Sequence, residues 1–147
     1  MLLPKIKDYR KIKKNIKNNY LTSNINEENM SFVYTLSKLL KISEKSFFKA
    51  MKSFKGLPHR FEIFLQRENT IFINDSKATS FTAAESALRS LKNVYWILGG
   101  LPKRKDKLVL SKIKKNIIKC YLIGKNINFF KKQIKDRIDF SITKNLE

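Results

Sequence analysis

Val94-Tyr95-Trp96-Ile97-Leu98-Gly99-Gly100-Leu101-Pro102 decides how this chain folds. Five uninterrupted apolar residues ended by two glycines and a proline read as a strand buried on both faces and then a tight loop, the pattern of a parallel sheet. Upstream, Ala84, Ala87, Leu88 and Leu91 recur at helical spacing. Downstream, Leu110, Ile113 and Ile117 predict a helix, residues 120–123 a strand closed by Gly124, residues 127–134 another helix, and Phe140-Ser141-Ile142 a further strand. Strand alternating with helix predicts an α/β fold, an open and mostly parallel sheet from about residue 57 onward. Ahead of it, residues 61–66 and 69–73 around the polar turn Arg67-Glu68 predict a hairpin.

The first third reads differently. Residues 5–19 are rich in Lys and Arg without a convincing apolar stripe, and are expected to be a frayed or irregular lead-in. Asn26 is placed to cap a helix whose first turn holds Glu27 and Glu28, with Met30, Val33, Ser37 and Leu40 at helical spacing and Phe32, Leu36 and Leu39 widening that face. Ser43 caps a second helix carrying Phe47, Ala50, Met51 and Phe54, which ends at Gly56 and Pro58.

With 147 residues, 42% of them hydrophobic, the chain has enough apolar surface for a packed core. It holds no long uncharged apolar run of the kind that spans a membrane, and Met1-Leu2-Leu3-Pro4-Lys5 leads into a basic segment instead of a signal-peptide core, so a cytoplasmic location is expected. The single Cys120 excludes an intramolecular disulfide framework and a multi-cysteine zinc site. A net charge of +20, from 32 basic against 12 acidic residues, raises the question of a nucleic-acid partner. The lysines are spread over almost every predicted element, which favours a solvated basic surface over a dedicated nucleic-acid face.

Four polar clusters fall at element ends: Asn26 with Asn29, the Gly56-Leu57-Pro58-His59-Arg60 turn, the stretch Asn74-Asp75-Ser76-Lys77-Ala78-Thr79, and Gly99-Gly100 with Lys103. In a ligand site Arg60 suits a phosphate, Asp75 suits ribose hydroxyls, and Lys77 and Lys103 suit phosphate or carboxylate oxygens. The plainer alternatives are helix capping for the asparagines, a packed turn for His59, and a salt-bridged helix start for Asp75-Ser76-Lys77. No GxxxxGK[ST] phosphate loop is present, which excludes a self-sufficient nucleotide hydrolase of that class.

Taken in order, Asn26-Glu27-Glu28-Asn29, Phe54-Lys55-Gly56-Leu57-Pro58-His59-Arg60-Phe61-Glu62, Ile73-Asn74-Asp75-Ser76-Lys77-Ala78-Thr79-Ser80 and Trp96-Ile97-Leu98-Gly99-Gly100 with Lys103 resemble the Mur ligases of peptidoglycan synthesis, in their D-glutamate-adding branch. The resemblance is clear over residues 20–124. It implies a C-terminal fragment of a cytoplasmic three-domain ligase. Residues 1–56 would be the helical tail of the central ATPase domain, and 57–147 a truncated, Rossmann-like C-terminal domain. It also implies that Asn26, Asn29, Arg60 and Asp75 bind ATP, and that Lys77, Thr79 and Lys103 bind D-glutamate. Magnesium ligands and the phosphate loop would lie in the central-domain part that this chain lacks, so no metal ligand is assigned here. The expected substrates are UDP-N-acetylmuramoyl-L-alanine and D-glutamate, joined through an acyl phosphate that the amine attacks. The fragment is expected to be inactive alone, with a second polypeptide as one way of completing it. Ile25, where the family usually has His, and Ser80, where Asn is common, depart from the pattern. The alternative readings are a basic nucleic-acid-binding protein and a non-catalytic relic.

Charge and site separate these readings experimentally. A nucleic-acid protein would bind oligonucleotides with a steep salt dependence, weakened by neutralising the Lys11-Ile12-Lys13-Lys14 run and untouched by Asp75→Ala. The expected outcome in a fluorescence-anisotropy salt titration is weak binding that both variants leave alike.

Overall fold

Tyr9 sets the arrangement of the first part of the chain. The computed structural model describes residues 6–23 and 26–143, and the chain divides into two units, residues 1–58 and 59–147. In the first unit α1 (Ile6–Lys13) buries Tyr9 completely, and its hydroxyl donates to the Leu21 carbonyl at 3.2 Å. The expected frayed lead-in is instead a helix over residues 6–13 and stays irregular over residues 14–18, while Lys5 lies outside the described residues. The reason is a narrow stripe hidden among lysines: Tyr9, Ile12 and Ile16 fall on one side and pack into a cluster with Leu21, Met30, Tyr34 and Phe47. Arg10 fastens α1 to α3 (Glu27–Leu39) by two hydrogen bonds to the Glu27 carboxylate, at 3.0 and 2.8 Å.

Asn18 closes two helix ends at once. Its side-chain oxygen accepts from Leu21 N–H at the start of α2 (Asn19–Thr22), and its amide donates to the Met51 and Phe54 carbonyls at the end of α4 (Glu44–Ser53). Ser43 caps α4 as expected, accepting from Ser46 N–H. Asn26 occupies the N-cap position of α3 without capping it, because its amide turns back to the Tyr20 carbonyl and Ser23 hydroxyl. Ile25 lies outside the described residues. The buried side of α3 also differs from the expected stripe: Met30, Ser31, Tyr34 and Ser37 face the cluster, whereas Val33, Leu36 and Leu40 are exposed. A helix that is apolar almost all round needs neighbours on more than one side, and α1, α2 and α4 cover one. Val33, Leu36, Leu40 and Ile42 instead line an open groove of about 180 Å³ with Phe47 and Met51.

The second unit begins with the hairpin β1 (Glu62–Arg67) and β2 (Thr70–Asn74), antiparallel, with a register shift between Ile63 and Leu65. Then come α5 (Phe81–Ser90), β3 (Val94–Gly99), β4 (Ile117–Ile123), α6 (Ile127–Ile134) and β5 (Phe140–Ile142). The three later strands form one parallel sheet in the order β3-β4-β5, pairing Trp96 with Cys120, Leu98 with Leu122, and Leu122 with Ile142. Leu98, Cys120 and Leu122 meet Phe81 and Leu88 of α5 and Phe130 and Ile134 of α6 in a single core. Both helices thus serve one face. On the other, Tyr95 and Ile97 are 62% and 57% exposed, so β3 is buried on one side and not on the two expected from its apolar run.

The crossover from β3 to β4 corrects a second expectation. Leu110, Ile113 and Ile117 do not share a helix: residues 110–112 and 114–116 are separate 3₁₀ turns, and Ile117 already belongs to β4. Leu110, Ile113 and Asn116 are buried at a spacing of three, which suits three residues per turn. Asn116 completes the turn by donating its amide to the Leu88 carbonyl at 2.9 Å, anchoring the crossover to the end of α5.

Leu122 is fully buried in the central strand. Leu122→Ala is expected to lower unfolding free energy by about 2–5 kcal/mol. Leu101→Ala, at a residue 87% exposed, is expected to change it by less than about 0.5 kcal/mol. Urea unfolding followed by circular dichroism checks both.

Candidate functional site

The hairpin base is where the second unit gathers its polar groups. The turn of residues 59–61 precedes β1, residues 75–77 follow the last residue of β2, Asn74, and antiparallel pairing of Glu62 with Asn74 brings the two segments together. Three bonds join them: Phe61 N–H donates to Asp75 Oδ1 at 2.9 Å, Lys77 N–H to the His59 carbonyl at 3.0 Å, and the Asn74 amide to His59 Nδ1 at 2.9 Å. His59 and Phe61 have φ of 62° and 49°, so both residues flanking Arg60 occupy the left-handed region. Arg60 is exposed and its charge acts favourably on Asp75.

Asp75 is half-buried, and burial is the main influence on it, holding its carboxyl above the ordinary aspartate value against the opposing pull of Phe61 N–H and of Arg60. Beyond it the backbone makes two tight turns, Ala78 N–H to the Asp75 carbonyl at 2.8 Å and Thr79 N–H to the Lys77 carbonyl at 2.9 Å, which deliver Lys77 and Thr79, both exposed, to the start of α5. That helix start is closed from within. Ser80, at the N-cap, accepts from Ala83 N–H, and Asp106 accepts from Phe81 N–H at 2.9 Å. These two backbone donors are therefore already engaged within the fold.

Asp106 also places Lys103. Its N–H donates to the Lys103 carbonyl at 3.1 Å, and its own carbonyl accepts from Gln133 of α6, so the Lys103–Asp106 turn is pinned between the starts of α5 and the end of α6. Gly100, at φ 104°, begins this loop, and Asn126 at the start of α6 donates to its carbonyl at 2.9 Å. Lys103 is therefore an exposed cation on a loop at the C-terminal ends of β3 and β4, the edge where α/β sheets bind ligands. The sequence reading missed Asp106, Asn126 and the His59–Asn74 pair as supports. Asp106 left one signal, a lone acid in Lys103-Arg104-Lys105-Asp106-Lys107.

Asn26 and Asn29 belong to the first unit. Asn29 is exposed on the first turn of α3, and the Asn26 amide is engaged as described above. Among the described residues no three His, Cys, Asp or Glu side chains come together in a way that would hold a metal ion, and no helix is long and apolar enough to cross a membrane.

No family profile matches the chain. Individual relatives do. UDP-N-acetylmuramoylalanine–D-glutamate ligases are 39% identical over 127 residues in Wolbachia sp. subsp. Brugia malayi, 36% over 134 in Rickettsia felis and 36% over 122 in Agrobacterium fabrum. These alignments cover 86%, 88% and 83% of this chain and 25%, 29% and 26% of the relatives. The matched region is the relatives' C-terminal part, and the parallel sheet with its helices is consistent with the α/β C-terminal domain of a Mur ligase. Within that class, the chain belongs to the UDP-N-acetylmuramoylalanine–D-glutamate ligase family. It spans about a quarter of the length of the curated relatives it matches.

Because the folded Asp75 value is raised, its stabilising contribution is fully present below the free aspartate value and is lost as pH rises through the raised one. Asp75→Asn keeps an acceptor for Phe61 N–H without a buried charge. The variant is expected to be at least as stable as the natural chain near pH 7, with the difference vanishing in acid, as measured by urea titration across that range.

Proposed function

We propose that this chain is the C-terminal portion of a D-glutamate-adding ligase acting in cytoplasmic peptidoglycan synthesis, with residues 1–56 derived from the central ATPase domain and 57–147 from the closing domain. The observation that carries the reading is the hairpin base, where Phe61 N–H ties the Arg60 turn to the half-buried Asp75 carboxylate, on which the Arg60 charge acts, one tight turn from Lys77. Homology to ligases of that name supplies the chemistry.

In this reading Arg60 meets the ATP phosphates and Asp75 accepts from the ribose hydroxyls, while Asn29, with Asn26 beside it, contacts the adenine side. Lys77, Thr79 and Lys103 hold D-glutamate: the ammonium groups neutralise its carboxylates and the Thr79 hydroxyl supplies a directional hydrogen bond. Holding the amine donor close to an activated carboxyl and neutralising the surrounding charge is the larger part of what such acyl transfer needs from a protein. The magnesium ligands are proposed to lie in the central-domain portion that this chain does not span.

The activating half of the reaction needs a phosphate loop, and the sequence contains none. The chain by itself is therefore proposed not to ligate. A second polypeptide carrying the UDP-sugar and ATPase portions is the proposed complement. The exposed Val33, Leu36 and Leu40 face on α3 supports such a partner, being apolar surface that α1, α2 and α4 leave open.

Two measurements test this. The purified chain, given ATP, magnesium, UDP-N-acetylmuramoyl-L-alanine and D-glutamate, is expected to release no substrate-dependent ADP, and release would overturn the proposed inactivity. In ¹H–¹⁵N spectra, ATP is expected to perturb the amides around Arg60 and Asp75, and D-glutamate those around Lys77, Thr79 and Lys103. Asp75→Ala should erase the first set and spare the second. Perturbations that are exchanged between the two ligands, or that Asp75→Ala leaves intact, would overturn the residue assignment.

A further inference from the structure

The histidine in the turn before β1 does more than fill space. Asn74 Oδ1 accepts from Ser76 N–H at 3.1 Å, and this fixes which end of the amide faces His59: the Nδ2 donor. With a donor at 2.9 Å, His59 Nδ1 must accept, so the neutral ring carries its proton on Nε2. The backbone of the same residue is held twice more, its carbonyl by Lys77 N–H at 3.0 Å and its N–H by Glu62 Oε2 at 2.8 Å. His59 and Phe61, at positive φ on either side of Arg60, are in a conformation that non-glycine residues hold only when their surroundings enforce it.

Protonation reverses one of these restraints. A proton on Nδ1 turns an acceptor into a donor facing another donor, and Asn74 has no free rotation to answer it while Ser76 holds its oxygen. The imidazolium finds an acceptor in Glu62 Oε2, 3.8 Å from Nδ1 on β1. The remaining charged groups of this region are Arg60, next in the chain, and Asp75 and Lys77 on the strand-exit segment. The His59 side chain is 54% exposed, so solvent reaches the ring.

We infer that His59 is a positioning residue for the turn that carries Arg60: neutral, it clips this turn to Asn74 across the hairpin base, and protonated, it releases that clip toward Glu62. That Arg60 and Asp75 bind nucleotide rests on the function proposed above. The clip itself is read from the geometry, and its test needs no ligand.

The test uses the full chain in ¹⁵N-labelled form. Long-range ¹H–¹⁵N spectra at neutral pH are expected to show the Nε2–H tautomer of His59. Hydrogen-exchange protection of the Phe61 and Lys77 amides, corrected for intrinsic rates, is expected to fall about two- to tenfold as the ring becomes charged, the range that loss of one ordinary hydrogen bond produces. His59→Asn places a non-titrating acceptor near the Nδ1 position on a residue that tolerates positive φ, so protection should stay high and flat with pH. His59→Ala should be low throughout. Asn74→Asp, which offers a carboxylate to the imidazolium, should reverse the trend. A neutral Nδ1–H tautomer, protection indifferent to ring charge, or His59→Asn behaving as His59→Ala would overturn the inference. If His59→Ala does not fold, the natural chain's tautomer and the His59→Asn profile still decide it.

Discussion

The parallel pairing of β3 with β4 is the constraint on which the second unit depends. Parallel neighbours cannot be joined by a tight turn, so the chain must leave the end of β3 and return to the opposite end of β4. Residues 100–116 make that journey, and its beginning lies at the C-terminal edge of the sheet, the edge where open α/β sheets in general bind ligands. Lys103 and Asp106 therefore owe their position to topology before any side chain is considered. Burial then fixes the crossover: Leu108, Leu110 and Ile113 enter the same core as Leu98 and Leu122, and Asn116 ties the far end to α5.

The hairpin base works by a different principle. Most of β1 and β2 is exposed, so little hydrophobic energy holds these strands, and the register is carried by polar bonds at their open end. Phe61 N–H to Asp75, Lys77 N–H to His59 and Asn74 to His59 span the gap between the two ends of the hairpin. Burial outweighs both the Phe61 N–H bond and the charge of Arg60, which is why the Asp75 carboxyl is raised despite them. In the proposed function, structure and recognition would draw on the same atoms here.

What the sequence made legible was whatever rests on local rules. Ser43 before Glu44, the hairpin around residues 67–69, and the apolar strands 94–98 and 120–123 follow from capping, turn chemistry and composition. The misses share a cause, since each depends on partners distant in the chain. Tyr9 is buried because Leu21 and α3 receive it, a fact its lysine-rich neighbours conceal. Residues 110–117 have helical spacing on paper, but a crossover that must end in a strand at Ile117 winds more tightly instead. Of the face expected on α3, Met30 and Ser37 are buried while Val33 and Leu40 are exposed, because the helix packs through a face that also takes in Ser31 and Tyr34. In the site, Asp75 and Lys77 stood out as polar residues ending a strand, whereas Asp106, Asn126 and Asn74 act on Phe81, Gly100 and His59 across gaps that no local pattern reveals.

The single thiol has a practical consequence. Cys120 sits in the middle strand with no exposed surface, and burial, with Asp139 adding to it, pushes its thiol up to about 12. A sulfur that is both covered and protonated does not react in the native state, since the thiolate is the nucleophile. Alkylation of this protein is then a clock for the opening of β4: one atom, with no competing cysteine elsewhere in the chain, timing how often the sheet parts from α5 and α6.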